Sequence, residues 1–326
     1  MATPESVVGH LVCTQSQDWR ACRLAIAART ESRSIAAVDA AFDAGSIVRS
    51  WPMRGTLHTV LATDLRWMLA LTRDRIRAQY RSRLTVLGVD AETIAAARTA
   101  SREVLASRHG LTRRELLDAW TESGIDTTGQ RGAHMLIDLS IDAVVCLGPT
   151  KIGVQQFVLC DEWLPVDRPP PDPVVDWARR YFTSHGPASR ADLLGWSKLL
   201  VRELAPVWEQ IIDGFVPLDL EGAILYATPQ VIEAGRSQQT LEPLLTAAFD
   251  ELLLGYTDRS PTLARHHAQR IVPGDNGMFK AAVVDGGRVV GTWSRPKNPQ
   301  DGPEVELFET RPSARLARAR LTVPAH

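Results

Sequence analysis

The feature that most constrains the fold is an internal repeat near the middle of the chain. Residues 109–120, HGLTRRELLDAW, align without a gap on residues 185–196, HGPASRADLLGW, and five of the twelve positions are identical. Each copy opens with small and hydroxyl residues suited to a helix N-terminus and continues as a short amphipathic helix ending at a tryptophan. Such a repeat indicates that one small supersecondary unit is used more than once.

The residues after each copy predict the rest of that unit. A second helix is predicted over about 130–140 and 200–213, and each is followed by a β-hairpin. The hairpins are predicted at 143–147 with 154–160, around a turn at 148–151, and at 215–220 with 223–228, around a turn at 221–222. Two helices followed by a hairpin are the plan of a winged helix.

The start of the chain has the same order of elements. Two alanine-rich helices are predicted at 20–29 and 34–44, and strands at 47–51 and 56–61 flank the turn 52–55. The last ninety residues change character, and their best signal is a hairpin, 281–284 with 288–293, joined through Asp285-Gly286-Gly287.

We therefore predict an α+β fold of three tandem winged-helix motifs followed by a small β-rich C-terminal domain. A chain of 326 residues is long enough for several domains. The predicted boundaries are 1–105 for the first winged helix with a helical extension, 106–165 for the second, 166–235 for the third and 236–326 for the β-rich domain. The proline-rich stretch 165–173 is expected to be a linker.

The distribution of charged residues along the chain is more informative about function than the net charge. The formal net charge of −1 does not favour nucleic-acid binding by overall charge. A helix over 63–84 would nevertheless carry four guanidiniums along one face, and a solvated helix face is the alternative interpretation. These residues are Arg66, Arg73, Arg77 and Arg81, and a second, weaker basic cluster comprises Arg311, Arg315, Arg318 and Arg320.

Membrane, metal and redox functions find no support in the sequence. No apolar run approaches the ~20 residues that cross a bilayer, and the N-terminus lacks the features of a signal peptide, so a cytoplasmic protein is expected. The cysteines have no metal-binding or redox spacing. Adjacent side chains at His266 and His267 are expected to point in different directions, and no metal site or cofactor is predicted. The cysteines are Cys13, Cys22, Cys146 and Cys160.

Several separated motifs occur together with the helix and hairpin pattern. Gln15-Ser16-Gln17 precedes the first alanine-rich helix, and Arg54-Gly55-Thr56-Leu57-His58 follows in the first hairpin. His185-Gly186-Pro187-Ala188 leads to Gly195-Trp196-Ser197, and Phe249 to Tyr256 reads FDELLLGY. In this order, over nearly the whole chain, the motifs resemble the winged-helix DNA glycosylases of the helix-turn-helix forty-two superfamily, also called AlkZ-like.

The resemblance implies a monofunctional DNA glycosylase that removes N7-alkylated purines, including interstrand crosslinks of the azinomycin type or of nitrogen mustards. It places the catalytic motif on Gln15 and Gln17, although the family's middle residue is usually apolar and this chain has Ser16. The implied partner is alkylated double-stranded DNA, with neither a metal nor a membrane involved, and a monomer is expected.

Other residues are assigned by their position and chemistry. Arg54 is predicted to contact phosphate because Gly55 permits a tight turn, and His58 on the same hairpin is a second candidate, with a structural histidine as its alternative. Asp18 is expected to cap a helix and not to act as a base. A non-catalytic winged-helix DNA-binding protein or regulator stays open as the alternative function.

Overall fold

The computed structural model describes residues 3–237, 241–296, 298, 301–309, 313–319 and 321–324. Among these residues, no helix has both the length and the apolar character needed to span a bilayer. The α-helices are α1 (Pro4–Leu11), α2 (Trp19–Ala27), α3 (Ile35–Asp43), α4 (Leu65–Val86), α5 (Ala91–Arg108), α6 (Arg113–Glu122), α7 (Arg131–Ile141), α8 (Cys160–Trp163), α9 (Pro173–His185), α10 (Arg190–Ser197), α11 (Val201–Leu204), α12 (Trp208–Ile212), α13 (Pro229–Arg236), α14 (Glu251–Leu254) and α15 (Ala268–Ile271).

Helices and strands are mixed along the chain and the strand pairs are antiparallel, which confirms the predicted α+β class. The strands are β1 (Cys13–Gln15), β2 (Ile47–Met53), β3 (Thr56–Leu61), β4 (Leu111–Thr112), β5 (Val145–Lys151), β6 (Val154–Leu159), β7 (Ala188–Ser189), β8 (Val216–Leu220), β9 (Ala223–Ala227), β10 (Leu244–Thr246), β11 (Ala282–Asp285), β12 (Arg288–Ser294) and β13 (Glu304–Leu307). Short 3₁₀ turns cover Ala205–Val207, Arg265–His267, Pro273–Asp275 and Leu316–Arg318.

The chain forms two compact units. One consists of residues 1–38 together with 174–326, and the other of residues 39–173. The first unit is discontinuous in sequence, whereas the four predicted domain segments are continuous stretches defined by the repeat. That four-part division stays a prediction.

The unit 39–173 is built on antiparallel strands in the order β3-β2-β5-β6-β4. Its two hairpins join where Arg49 of β2 pairs with Leu147 of β5. A core of aliphatic side chains from α5, α6, α7 and these strands surrounds Trp120, which is fully buried. The Trp120 indole donates a 2.9 Å hydrogen bond to the hydroxyl of Ser101, so the buried N–H is satisfied.

The unit formed by 1–38 and 174–326 contains two separate antiparallel sheets, β7-β9-β8 and β10-β11-β12-β13. Helix α2 packs its Ala21, Leu24 and Ala25 against Val283 and Trp293 of the larger sheet. This apolar contact explains why the first residues of the chain belong with the last ones.

The repeated segments have matching local structure. A two-residue strand precedes the repeat helix in both copies and pairs with the second hairpin strand, with Leu111 opposite Phe157 and Ala188 opposite Tyr226. Both helices begin with a capping box. The order helix, helix, hairpin occurs in the predicted three places, and its description as tandem winged helices stays an interpretation of that order.

The hairpin turns share one geometry. Arg54-Gly55, Ile152-Gly153 and Glu221-Gly222 each have positive φ at both central residues, from 52° to 86°. Two such residues match the twist of the flanking strands, and glycine adopts this conformation without strain. The turn predicted at 148–151 was therefore wrong, because β5 continues through these residues with a register shift between Leu147 and Thr150.

The helix predicted over 200–213 was also wrong as a single element. The structure has α11, the 3₁₀ turn Ala205–Val207 and α12 in its place. Pro206 lies at the break, since proline has no N–H to donate and its ring clashes with the preceding helical turn.

Candidate active site

Gln15 is the last residue of β1, Ser16 and Gln17 lie between β1 and α2, and the three side chains alternate in exposure. Ser16 is completely buried, Gln15 is half-buried and Gln17 is exposed. This alternation resembles that of an extended strand, in which every second side chain points to the same face, although β1 ends at Gln15 and Gln17 lies in a bend. The small serine fills the inward position that the family usually gives to an apolar residue.

Asp18 directly after this segment is the N-cap of α2, as predicted. Its carboxylate accepts the backbone N–H groups of Arg20 at 2.9 Å and Ala21 at 3.0 Å. The cap fixes the end of the glutamine segment to the start of the helix.

Glu251, which the sequence reasoning did not select, is a buried carboxylate in contact with the glutamine segment. One oxygen, Oε1, accepts the backbone N–H of Gln15 at 3.2 Å, and the other, Oε2, accepts the indole N–H of Trp196 at 2.9 Å. Only 3% of Glu251 is exposed. Glutamate is almost never buried so completely unless its charge is compensated, which marks this residue as one with a specific task.

His185 lies against the same carboxylate and is 2% exposed. Its Nε2 atom is 3.6 Å from Oε2 of Glu251, while its Nδ1 atom is 2.8 Å from the hydroxyl of Ser184. The ring stacks on Tyr181 with centroids 4.7 Å apart. Gly255 lies directly beside the ring, and a Cβ atom there would overlap the imidazole and the Glu251 carbonyl oxygen.

The short helix α14 that carries Glu251 is held by polar contacts on several sides. Asp250 caps it and forms a two-pronged ion pair with Arg29, with both N–O distances at 2.8 Å. Burial lowers the pKa of Arg29, but the charge and hydrogen bonds of Asp250 together with the charge of Glu251 outweigh burial, and the pKa is raised overall. The hydroxyl of Tyr256 donates to the carbonyl of His185 at 2.8 Å.

A cleft of about 340 Å³ opens beside these groups. Burial lowers the pKa of His10 in the wall of this cleft, and nearby His185 lowers it further. Burial also raises the pKa of Tyr256 to about 12, together with the charges of Asp192 and Glu251. The lining residues are His10, Leu11, Arg29, Ser184, His185, Glu251, Leu252 and Tyr256.

Comparison with known proteins assigns this chain to a family. The model of the family described as "DNA glycosylase AlkZ-like" matches residues 8–323. The chain belongs to the AlkZ-like DNA glycosylase family. DNA glycosylases are enzymes that hydrolyse the N-glycosidic bond between a base and its deoxyribose.

Two similar proteins support this assignment. An "Interstrand DNA cross-link repair glycosylase" of Streptomyces sahachiroi is 25% identical over 300 residues, which cover 88% of this AlkZ-like chain and 81% of the relative. The solved structure of the Streptomyces sahachiroi DNA glycosylase AlkZ matches with a TM-score of 0.77 at 22% identity. The match covers 97% of this chain and 88% of that structure, and it shows that the fold is shared.

The predicted DNA contacts of this AlkZ-like chain lie in the unit 39–173. Arg54 is the first residue of its turn and its Nη2 is 3.0 Å from Nε2 of His58. His58 itself is completely buried, and its Nδ1 is 2.8 Å from the carbonyl of Thr56. Both ring nitrogens of His58 face protein atoms in this conformation, which favours the alternative of a structural histidine, and contact of His58 with DNA stays a prediction. The imidazole supports the Arg54 side chain, and phosphate contact by Arg54 stays a prediction.

The four arginines predicted on one face all lie on α4, but two of them serve internal ion pairs. Arg66 donates to the carbonyl of Cys160 at 2.8 Å and approaches Asp161 at 3.3 Å. Arg77 bonds Asp138 at 3.0 Å and Asp142 at 2.5 Å. Arg73 and Arg81 are exposed. The protein partners of Arg66 and Arg77 favour a structural role for these two side chains, and DNA contact by the four arginines stays a prediction.

We predict that Arg77→Ala and Arg81→Ala have different effects. Arg77→Ala should lower the free energy of unfolding by about 2 kcal/mol, because the buried Asp138 loses its guanidinium partner and Asp142 is left with Arg98. Arg81→Ala should leave stability unchanged and reduce the slope of log affinity against log salt by about 1 on undamaged duplex DNA. Urea unfolding and salt-dependent binding measure the two effects, and a stable Arg77→Ala protein would contradict the structural role.

The Arg77 effect should also depend on pH. Burial alone would raise the pKa of Asp142, but ion pairs with Arg77 and Arg98 outweigh burial and lower it. A lowered carboxyl pKa stabilises the fold above the ordinary value of about 4, and that contribution disappears as the pH falls through the lowered value. The difference between wild type and Arg77→Ala should therefore shrink below about pH 4.

The expectation that His266 and His267 point apart was wrong. Their ring centroids are 4.0 Å apart, and their ligand atoms and a carboxylate oxygen of Glu309 all lie within 4.8 Å of one another. Burial and the charge of His266 lower the pKa of His267. The weaker C-terminal basic cluster is incomplete here, since Arg311 and Arg320 lie outside the described residues.

Proposed function

We propose that this protein is a monofunctional DNA glycosylase that excises N7-alkylated purines, with Gln15 and Gln17 as its catalytic residues. The observation that carries the proposal is the geometry of the glutamine segment. Ser16 between the two glutamines is buried, Gln15 is half-buried and Gln17 is exposed, and both ends of the segment are held, by Glu251 and by Asp18.

The chemistry of an N7-alkylated purine suits two amides. A glutamine side chain cannot usefully accept or donate a proton at neutral pH, so ordinary general acid catalysis is not available to it. An N7-alkylated purine already carries a positive charge and leaves as a neutral base without protonation. The remaining work is to place a water molecule near the anomeric carbon and to direct carbonyl dipoles at the developing sugar charge.

We further propose that the protein unhooks interstrand crosslinks formed through N7 of guanine. The similarity to the Streptomyces sahachiroi relative, an interstrand DNA cross-link repair glycosylase, supports this step. A crosslinked base cannot rotate out of the duplex into a deep pocket as most glycosylases require. The enzyme must therefore act on the lesion from a groove of the duplex. Gln17, the more exposed of the two glutamines, is the one more accessible to such a lesion.

The experiment uses a duplex oligonucleotide with a single nitrogen-mustard crosslink, labelled on one strand. The protein should convert the crosslinked species into single strands on a denaturing gel, and subsequent alkali should cut the labelled strand at the abasic site. Binding of the duplex with no unhooking and no alkali-labile site would favour the alternative function, a non-catalytic DNA-binding protein.

A further inference from the structure

We infer that Glu251 is a positioning residue that holds Gln15 in its reactive orientation through the Gln15 backbone N–H. This inference rests on the proposed function, because it assigns a role in the reaction attributed to Gln15. The first observation that supports this inference is a hydrogen bond between residues far apart in sequence. Oε1 of Glu251 accepts the backbone N–H of Gln15 at 3.2 Å, although 236 positions separate the two residues. A hydrogen bond to one peptide group fixes the direction in which the side chain of the same residue leaves the backbone.

The second observation is that each oxygen of the Glu251 carboxylate accepts a hydrogen bond. Its other oxygen accepts the Trp196 indole N–H at 2.9 Å, so the two oxygens face two different donors. A glutamine at position 251 has only one oxygen, and its NH₂ group would face one of these donors. Charge-assisted hydrogen bonds to a carboxylate are also shorter and stronger than neutral ones. The geometry therefore requires glutamate and not its neutral isostere.

The internal repeat supplies the third support. Trp120 and Trp196 occupy the same position in the two copies, and both are buried. Trp120 donates its indole N–H to the neutral hydroxyl of Ser101, whereas Trp196 donates to Glu251. A serine is thus enough to satisfy a tryptophan at this position. Burying a charge is unfavourable, and the carboxylate in the second copy has two further neighbours, the Gln15 peptide N–H and the His185 imidazole.

The surroundings of Glu251 fix the carboxylate itself. Asp250 beside it is tied to Arg29 by two 2.8 Å contacts, and the Tyr181 hydroxyl donates to the Gly255 carbonyl at 2.8 Å. His185 closes the remaining side, with Nε2 3.6 Å from Oε2. Reactive groups need such support, because a displacement of about 1 Å can reduce a catalysed rate by about 10²-fold.

The test combines an activity measurement with a direct observation of the Gln15 amide. Glu251→Gln should lower the single-turnover rate of N7-methylguanine release by about 10- to 100-fold, with the Kd for undamaged duplex DNA within about twofold of wild type. In a Gln15→Ala background, Glu251→Gln should change the rate by less than about twofold, since both changes remove the same contribution. Glu233→Gln, at an exposed glutamate of the same unit, is the matched control and should change neither quantity.

The second readout does not need activity. In protein labelled with ¹⁵N-glutamine, the Gln15 amide resonance is assigned by its loss in Gln15→Ala. Glu251→Gln should shift this resonance and accelerate its exchange with solvent, while Glu233→Gln should leave it in place. If Glu251→Gln does not fold, Trp196→Phe removes one donor to the carboxylate and should shift the same resonance, with Trp120→Phe as its control.

An unchanged Gln15 resonance in Glu251→Gln and Trp196→Phe would overturn the inference. Rate losses that multiply in the double variant would overturn it as well, because independent effects add in free energy. If the wild-type protein releases no base, the proposed function is contradicted. The Gln15 amide resonance then still tests whether Glu251 holds the Gln15 peptide.

Discussion

Replacing Gln15 or Gln17 by alanine is expected to lower the single-turnover rate of N7-methylguanine release by about 10²-fold or more, the range seen when one electrostatic group of an active site is removed. Each side chain supplies a dipole or a hydrogen bond for which the alanine has no replacement. The double variant should lose less than the product of the single losses, because the two amides act on one water and one sugar.

The stability and DNA affinity of these variants should stay close to those of wild type. Gln15 is half-buried and Gln17 is exposed, so truncation of either side chain leaves little unfilled space. Gln210→Ala, at an exposed glutamine of α12, is the matched control. Unchanged release rates in both single variants would remove Gln15 and Gln17 from the mechanism, whereas unfolding of either variant would show that the segment is structural.

The predictions from sequence succeeded where the signal was local. The turn at Glu221-Gly222 lies where it was predicted, and the predicted turn 52–55 contains the observed turn Arg54-Gly55, although β2 continues to Met53. The cap at Asp18 followed from its position before a helix. The turn at Ile152-Gly153 was missed because Gly148-Pro149 nearby is a stronger turn signal in sequence, yet it occupies a strand irregularity.

Long-range partners explain the functional residues that were missed. Glu251 has its meaning only beside Gln15 and Trp196, and no local pattern brings residues 236 positions apart together. The sequence did contain a hint of the burial of Glu251, because in FDELLLGY this charged residue stands directly before an apolar run. The burial of His58 and the ion pairs of Arg77 were equally invisible, because helical spacing fixes the direction of a side chain and not its partner.

Discrimination between charged and neutral lesions is the second large effect that we expect. Without a strong general acid in the Gln15-Ser16-Gln17 segment, the enzyme should release a base only when the base already carries the charge that weakens its glycosidic bond. A neutral damaged purine such as hypoxanthine requires protonation before it leaves. The expected difference in rate is at least about 10³-fold, within the range that general acid catalysis contributes.

The most direct measurement is therefore single-turnover base release by the wild-type protein from two duplexes that differ in one base, N7-methylguanine or hypoxanthine. Alkali cleavage reports the abasic product from both duplexes. The double variant, which carries Gln15→Ala and Gln17→Ala, is measured beside the wild-type protein. We expect the wild-type protein to release N7-methylguanine but not hypoxanthine, and the double variant to release neither base. Release of both bases at similar rates, or equal release of N7-methylguanine by the double variant, would contradict this expectation.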